Sequence, residues 1–163
     1  MIVGVVSDTH NNIKNIKAII DIFNKEKVDL VIHTGDISKA STLEKFSDLN
    51  CELIGVFGNN DRNEEGLREV CELLNFRFQE PPFLINIYNK RIVIFHEPDP
   101  IQEFLNQNKN IDLVLFGHTH RYKEEIKDQI LFFNPGESAG FFEGNNALGI
   151  INLENMKIKR IFF

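Results

Sequence analysis

The sequence predicts an α/β fold of two mixed β-sheets packed face to face, with helices on the outside. Three observations carry that expectation. Short, mostly β-branched apolar runs end in polar or glycine residues and read as buried strands. Apolar stripes at three- and four-residue steps lie between several of these runs and read as helices. After Arg121 only short alternating segments remain, so a β-rich half follows a β-α-β half.

Ile2 to Val6 is the first strand. Ile13, Ile16, Ile20 and Phe23 place one apolar face on a helix from about Asn12 to Lys25, which leads into a second strand, Leu30 to Ile32. Ser41-Thr42-Leu43-Glu44 fits a capping box, in which the serine hydroxyl and the glutamate side chain satisfy free backbone donors at the start of a second helix. Leu53 to Phe57 is a third strand, and Leu67, Val70, Cys71 and Leu74 share one face of a third helix from Glu64 to Leu74. Asp99-Pro100-Ile101-Gln102 supplies the cap, first-turn proline and reciprocal glutamine of a fourth helix. Phe83 to Ile87 and Arg91 to Phe95 alternate around Tyr88-Asn89-Lys90, a hairpin with its turn at Asn89. Leu113 to Phe116, Lys123 to Lys127, Ile130 to Phe133, Leu148 to Asn152 and Lys157 to Phe163 complete the strands. No repeat or linker interrupts residues 1–163, and one domain is expected.

Hydrophobic residues make up 42% and charged residues 26% of the 163-residue chain, the balance of a domain that buries a core without staples. A formal charge of −6 argues against binding nucleic-acid polymers, which needs a basic footprint. It leaves room for a phosphorylated substrate, because two divalent cations would concentrate positive charge at one spot. Cys51 and Cys71 form no disulfide framework or thiolate zinc pattern and read as reduced core residues. Met1 to Val6 runs straight into Ser7-Asp8 with neither the charged region nor the cleavage site of a signal peptide. No apolar run approaches the ~18 residues of a membrane span, so a cytoplasmic protein without a membrane partner is expected.

Metal-ligand residue types gather in five segments, each directly after an expected strand. Asp8 and His10 follow the first strand, Asp36 the second in Gly35-Asp36, and Asn59 the third in Gly58-Asn59-Asn60-Asp61. His96 closes the strand at Phe95, and His118 and His120 follow another as Gly117-His118-Thr119-His120. Loops leaving one edge of a sheet meet over a shared crevice, where such ligands converge. Carboxylates with imidazoles accept Mn, Fe, Ni, Co or Zn, and the lack of clustered thiolates argues against a structural zinc or iron–sulfur site.

The order Asp-x-His, Gly-Asp, Gly-Asn-x-Asp, a lone His and Gly-His-x-His resembles the signature of calcineurin-like metallophosphoesterases, from Asp8 to His120 and on to Asn134-Pro135-Gly136. In size the chain is similar to the family's small archaeal and bacterial phosphodiesterases, a branch that includes the retromer subunit of eukaryotes. The resemblance implies a four-layer αββα sandwich. It implies that Asp8, His10 and His120 hold one metal ion, Asn59, His96 and His118 a second, and that Asp36 bridges both. The implied cofactors are two divalent ions, manganese or nickel first, with magnesium, zinc, iron or cobalt as alternatives. The implied reaction is hydrolysis of a small phosphodiester by water or hydroxide shared between the ions. A dimer or tetramer is left open. Two other readings remain: a non-catalytic metal-binding scaffold similar to the retromer subunit, and a nuclease or cyclic-nucleotide phosphodiesterase.

This chain departs from the family pattern at two positions. Asn60 stands where many members have a helper histidine, and asparagine cannot act as a general acid. Glu97 follows His96 where glycine is common, and a solvent-facing carboxylate is its plainest reading. Plain readings also suit other residues. His33 is expected as a core histidine behind the ligands. Arg62 and Arg121 are expected to pair with nearby carboxylates such as Asp61 before they are expected to bind phosphate, and the basic Lys157 to Ile161 run reads as a solvated strand face. Phe141 and Phe142, between Gly140 and Gly144, could line a cleft or an oligomer contact, but core burial is the preferred expectation.

Overall fold

The computed structural model describes residues 1–142 and 144–163. Its first strand, β1 (Ile2–Val6), is followed by α1 (Ile13–Glu26), β2 (Leu30–His33), a single turn α2 (Ala40–Leu43) that continues as a 3-10 helix (Glu44–Asp48), and β3 (Glu52–Val56). Then come α3 (Leu67–Leu74), β4 (Arg77–Gln79), β5 (Phe83–Ile87), β6 (Lys90–Ile94), α4 (Ile101–Gln107) and β7 (Leu113–Leu115). The tail is β8 (Lys123–Lys127), β9 (Ile130–Asn134), β10 (Ala147–Asn152) and β11 (Lys157–Phe162).

The strands form a six-stranded sheet in the order β11-β10-β1-β2-β3-β4 and a five-stranded sheet in the order β5-β6-β7-β9-β8. Pairing is mixed in both: β1, β2, β3 and β4 run parallel, as do β6, β7 and β9, while β10, β11, β5 and β8 pair antiparallel. Alternation along the strands builds the layers. Val3, Val5, Leu30, Ile32, Ile54 and Val56 meet Ile92, Ile94, Leu113, Leu115, Leu131 and Phe133 between the sheets. Val31 and Leu53 point the other way, into a cluster with Ile16, Ile19, Phe23 and Val70 of α1 and α3. Val93 and Val114 pack outward with Ile101 of α4. The layers are therefore helices, sheet, sheet, helix, the αββα sandwich expected from the resemblance. β1 and β2 are covered on both faces, which is why they read as unbroken apolar runs.

The structure differs from the sequence expectation in several details. Ile13 does not join the buried stripe of α1; it is 52% exposed at the first helical position, and Ile19 is buried instead. The capping box at Ser41 does not form. Lys39 is the cap without a side-chain bond, and Asn11 reaches across to accept the Lys39 N–H at 3.2 Å and the Thr42 hydroxyl at 3.0 Å. The turn at Asp99 likewise lacks a side-chain cap, and Gln102 donates to Asn106 instead. α3 begins at Leu67 rather than Glu64, after Gly66 at φ +83°. β4 was not expected, because only Phe78 in its three residues is half-buried. The hairpin turn is as expected, with Tyr88 and Asn89 at φ +49° and +57° between β5 and β6.

Candidate metal centre

All seven expected ligands lie on loops that leave β1, β2, β3, β6 and β7 at one end of the sandwich. Backbone bonds tie the loops together: Asp8 N–H donates to Gly35 O at 3.0 Å, His10 N–H to Asp36 O at 2.9 Å, and Gly117 N–H to His96 O at 3.0 Å. Asp8, His10, Asp36, His118 and His120 all take positive φ, between +44° and +64°. Each such residue costs roughly 1 kcal/mol against ordinary backbone, so the rest of the fold holds the loops in this shape. Two glycines make room. Gly35, at φ +103°, would carry a Cβ 2.7 Å from His96 Nδ1, and a Cβ on Gly117 would collide with Ser7 Oγ and come 2.8 Å from Asp8 Oδ2.

The side chains form two facing groups. In the first, donor atoms of Asp8, His10 and His120 all lie within 4.8 Å of one another. Asp8 Oδ2 accepts from Ser7 Oγ and from His118 N–H, which leaves Oδ1 facing the group. Asp8 Oδ1 and His10 Nε2 are buried atoms with no hydrogen-bond partner among the described residues; His120 Nε2 approaches Asp8 Oδ1 to 3.3 Å without the geometry of a bond. In the second group, Asn59 Oδ1 lies 2.9 Å from His96 Nε2 and 3.0 Å from His118 Nδ1. Asp36 stands between the groups, its Oδ2 3.4 Å from His96 Nε2 and 4.0 Å from His10 Nε2. A buried carboxylate oxygen and an imidazole nitrogen left without partners, beside further N and O donors, are what a cation would satisfy. The residues fit divalent ions.

Electrostatics follow from these neighbours. Burial would raise Asp36, but His96 and two hydrogen bonds from Asn60 outweigh it and hold the carboxyl well below its usual range. Burial works against charge on His96, yet Asp36 beside it raises the imidazole overall. Contact with Asp8 raises His120. His96 Nδ1 lies 2.9 Å from Thr34 O, where an N–H donor turns Nε2 toward the group. His33, as expected, stays behind the ligands. Gly35 N–H donates to its Nδ1 at 3.1 Å, so its Nε2–H donates to Thr9 Oγ1 at 3.0 Å, and burial pulls its pKa down to about 3.

The plain readings fare differently. Arg62 pairs with a carboxylate as expected, but its partner is Glu97 at 2.7 Å rather than Asp61, so the two charges beside the site offset each other. Phe141 and Phe142 are not core residues but are 60% and 56% exposed. Phe141 lies parallel to the His120 ring, centroids 5.4 Å apart, and edge-on to His10 at 5.0 Å. Asn60 donates to both oxygens of Asp36, at 2.9 Å from its backbone and 2.7 Å from its amide.

Sequence reasoning missed three supports. Asp61 is buried and accepts the N–H groups of Asp36, Ile37, Ser38 and Gly58, at 2.7 to 2.8 Å, locking the Asp36 and Asn59 loops together. Burial raises its carboxyl against the pull of these donors. Its place in Gly-Asn-x-Asp was the available signal. Asn134 donates to Gly117 O at 2.9 Å and to Thr119 Oγ1 at 3.1 Å, steadying the histidine loop. Buried Glu137 accepts from Gly140 and Phe142 N–H, and nothing in its sequence surroundings marked it.

Known proteins resemble this chain in sequence and fold. The calcineurin-like phosphoesterase superfamily domain matches residues 1–156. Phosphodiesterase MJ0936 of Methanocaldococcus jannaschii is 33% identical over 163 residues, covering 99% of this chain and 98% of that one. Phosphodiesterase YfcE of Escherichia coli is 24% identical over 166 residues, covering 91% and 85%. A solved archaeal phosphodiesterase superposes over 100% of both chains with a TM-score of 0.91 at 32% identity. Zinc-bound Vps29 of Entamoeba histolytica covers 99% of both chains with a TM-score of 0.72 at 18% identity, a likeness of fold.

Proposed function

The chain belongs to the calcineurin-like phosphoesterase superfamily, and from that premise we propose a single-domain, metal-dependent phosphodiesterase that hydrolyses a small phosphodiester in the cytoplasm. In this reading Asp8, His10 and His120 hold one ion and Asn59, His96 and His118 the other. Asp36 is shared, and the ions are manganese or nickel, with magnesium, zinc, iron or cobalt as alternatives. Bound there, the pair would supply Lewis acidity and lower the pKa of water. The observation that carries the reading is the position of Asp36, with one carboxylate oxygen facing His96 on one side and His10 on the other. Relatives named as phosphodiesterases support the reaction class.

The chain's own residues have separate tasks. Asp36 stays ionised at neutral pH, and Asn60 holds it by two hydrogen bonds. The Asn60 amide is far too weak an acid to protonate a leaving oxygen, so esters whose leaving group is a stable anion are favoured. With Arg62 occupied by Glu97, Arg121 is the cation nearest His120 in the chain. The formal charge of −6 favours a small ester over a polymer.

The test is metal analysis of the purified protein, with rates on bis-p-nitrophenyl phosphate across Mn, Ni, Mg and Zn. Activity should appear with at least one of these metals, fall about a hundredfold or more in Asp36→Asn, and be lower on alkyl monoesters than on aryl diesters. Metal-loaded protein that hydrolyses no aryl diester refutes the reading, and equal rates on both ester classes refute the part assigned to Asn60.

A further inference from the structure

Beside His10 there is a hollow of about 570 Å³. Ile13, Ala139 and Phe141 give it an apolar wall, and Asn11 and Ser38 line it with polar groups. Ile13 and Phe141 are more than half exposed, at 52% and 60%, and share this one hollow beside a candidate metal ligand. The Phe141 ring is held in place. It lies within 5° of parallel to His120, and its loop is fixed on both sides. Glu137 accepts the N–H groups of Gly140 and Phe142 at 2.8 and 3.1 Å, and Asn12 donates to Ala139 O at 2.6 Å. Asn11 spends its carbonyl oxygen on Lys39 and Thr42, which leaves its amide N–H groups to donate. Among the described residues no lysine or arginine lines the hollow, so it suits an uncharged group better than a second phosphate.

We propose that this hollow is the subsite for a planar aromatic arm of the phosphate ester, and that Phe141 is its specificity-determining residue. A preset ring with an open surface stacks a flat partner at little entropic cost, and the Asn11 amide can meet an acceptor on that partner's edge. The proposal rests on the neighbouring centre binding the phosphoryl group. It explains why two apolar side chains stand exposed next to candidate metal ligands.

Phenyl phosphonate and methyl phosphonate present the same acid group with and without a ring, and neither is hydrolysed. Calorimetric titration into metal-loaded protein should show the phenyl compound binding about fivefold tighter or more. Phe141→Ala should bring the two affinities to within about twofold of each other, Phe141→Trp should restore the preference, and Ile13→Ser should weaken it without touching the His120 ring. A preference for adenosine 5′-monophosphate over ribose 5-phosphate would identify the arm as a nucleobase, and its absence would identify a simple aryl ring. Equal affinities for the two phosphonates in the unaltered protein, or a preference unchanged in both Phe141→Ala and Ile13→Ser, overturns the proposal alone. Binding of neither phosphonate overturns the metal-centre reading and the proposal with it.

Discussion

His33 and His96 are both fully buried, yet their surroundings drive them in opposite directions. Asp36 lies against His96 and raises it, whereas His33 faces a backbone N–H and a hydroxyl, and burial pulls it down to about 3. The unfolded chain takes a proton on His33 near pH 6.5, while the folded protein refuses one until far lower. Between those values the unfolded state binds more protons, so stability is fully present above pH 6.5 and is lost as pH falls. In chelator-treated protein, urea unfolding at pH 7 and 4.5 should show this as a drop of about 2–3 kcal/mol that His33→Gln lacks. Matching pH slopes in the two proteins would mean that His33 is protonated in the fold. Position along a strand does not separate the two histidines, since each directly follows an expected strand, Leu30 to Ile32 and Arg91 to Phe95; the sequence separates them only in that Asp36, the ligand of that loop, stands three residues after His33. The Arg62–Glu97 pair was not legible, because its partners stand 35 residues apart on different loops.

Strand positions were readable where both faces are covered, as in β1 and β2, because burial on each side demands apolar residues at every step. β4 was not, since only Phe78 of its three residues is half-buried, and the caps of α2 and α4 were not, since no side chain caps either helix and the bonds near α2 come from the distant Asn11. The glycines between strand and ligand show what the elements require of these loops. A Cβ on Gly58 would collide with Asp36 Oδ1 and its backbone N, and a Cβ on Gly4, mid-strand in β1, would meet Phe23 Cε1 at 2.5 Å. Both Gly58→Ala and Gly4→Ala overfill a packed site and should cost about 1–3 kcal/mol in urea unfolding. Only Gly58→Ala displaces a candidate ligand, so only it should also weaken metal binding in a calorimetric titration. Equal metal affinity in the two variants would mean that the Asp36 loop yields without moving its carboxylate.

At the scale of the molecule, the candidate ligands join the two sheets. Asp8, His10, Asp36 and Asn59 follow strands of the six-stranded sheet, while His96, His118 and His120 follow strands of the five-stranded one. Each proposed ion would therefore draw donors from both sheets: Asp8 and His10 with His120, and Asn59 with His96 and His118. The residue pattern predicted two sheets face to face with helices outside but not the order of strands within each sheet, because alternation tells which residues are buried and not which strand lies beside them. Metal that binds the folded chain alone stabilises it by mass action, about 2.7 kcal/mol at a hundred times the dissociation constant. For a domain of this size that corresponds to a rise in Tm of about 5–10 °C. Calorimetric melting with and without chelator should show the shift, and Asp36→Asn, which removes the carboxylate charge facing both groups, should lose more than half of it. A Tm indifferent to metal would mean that these donors never close on a cation between the sheets, and the strained loops that present them would then need another cause.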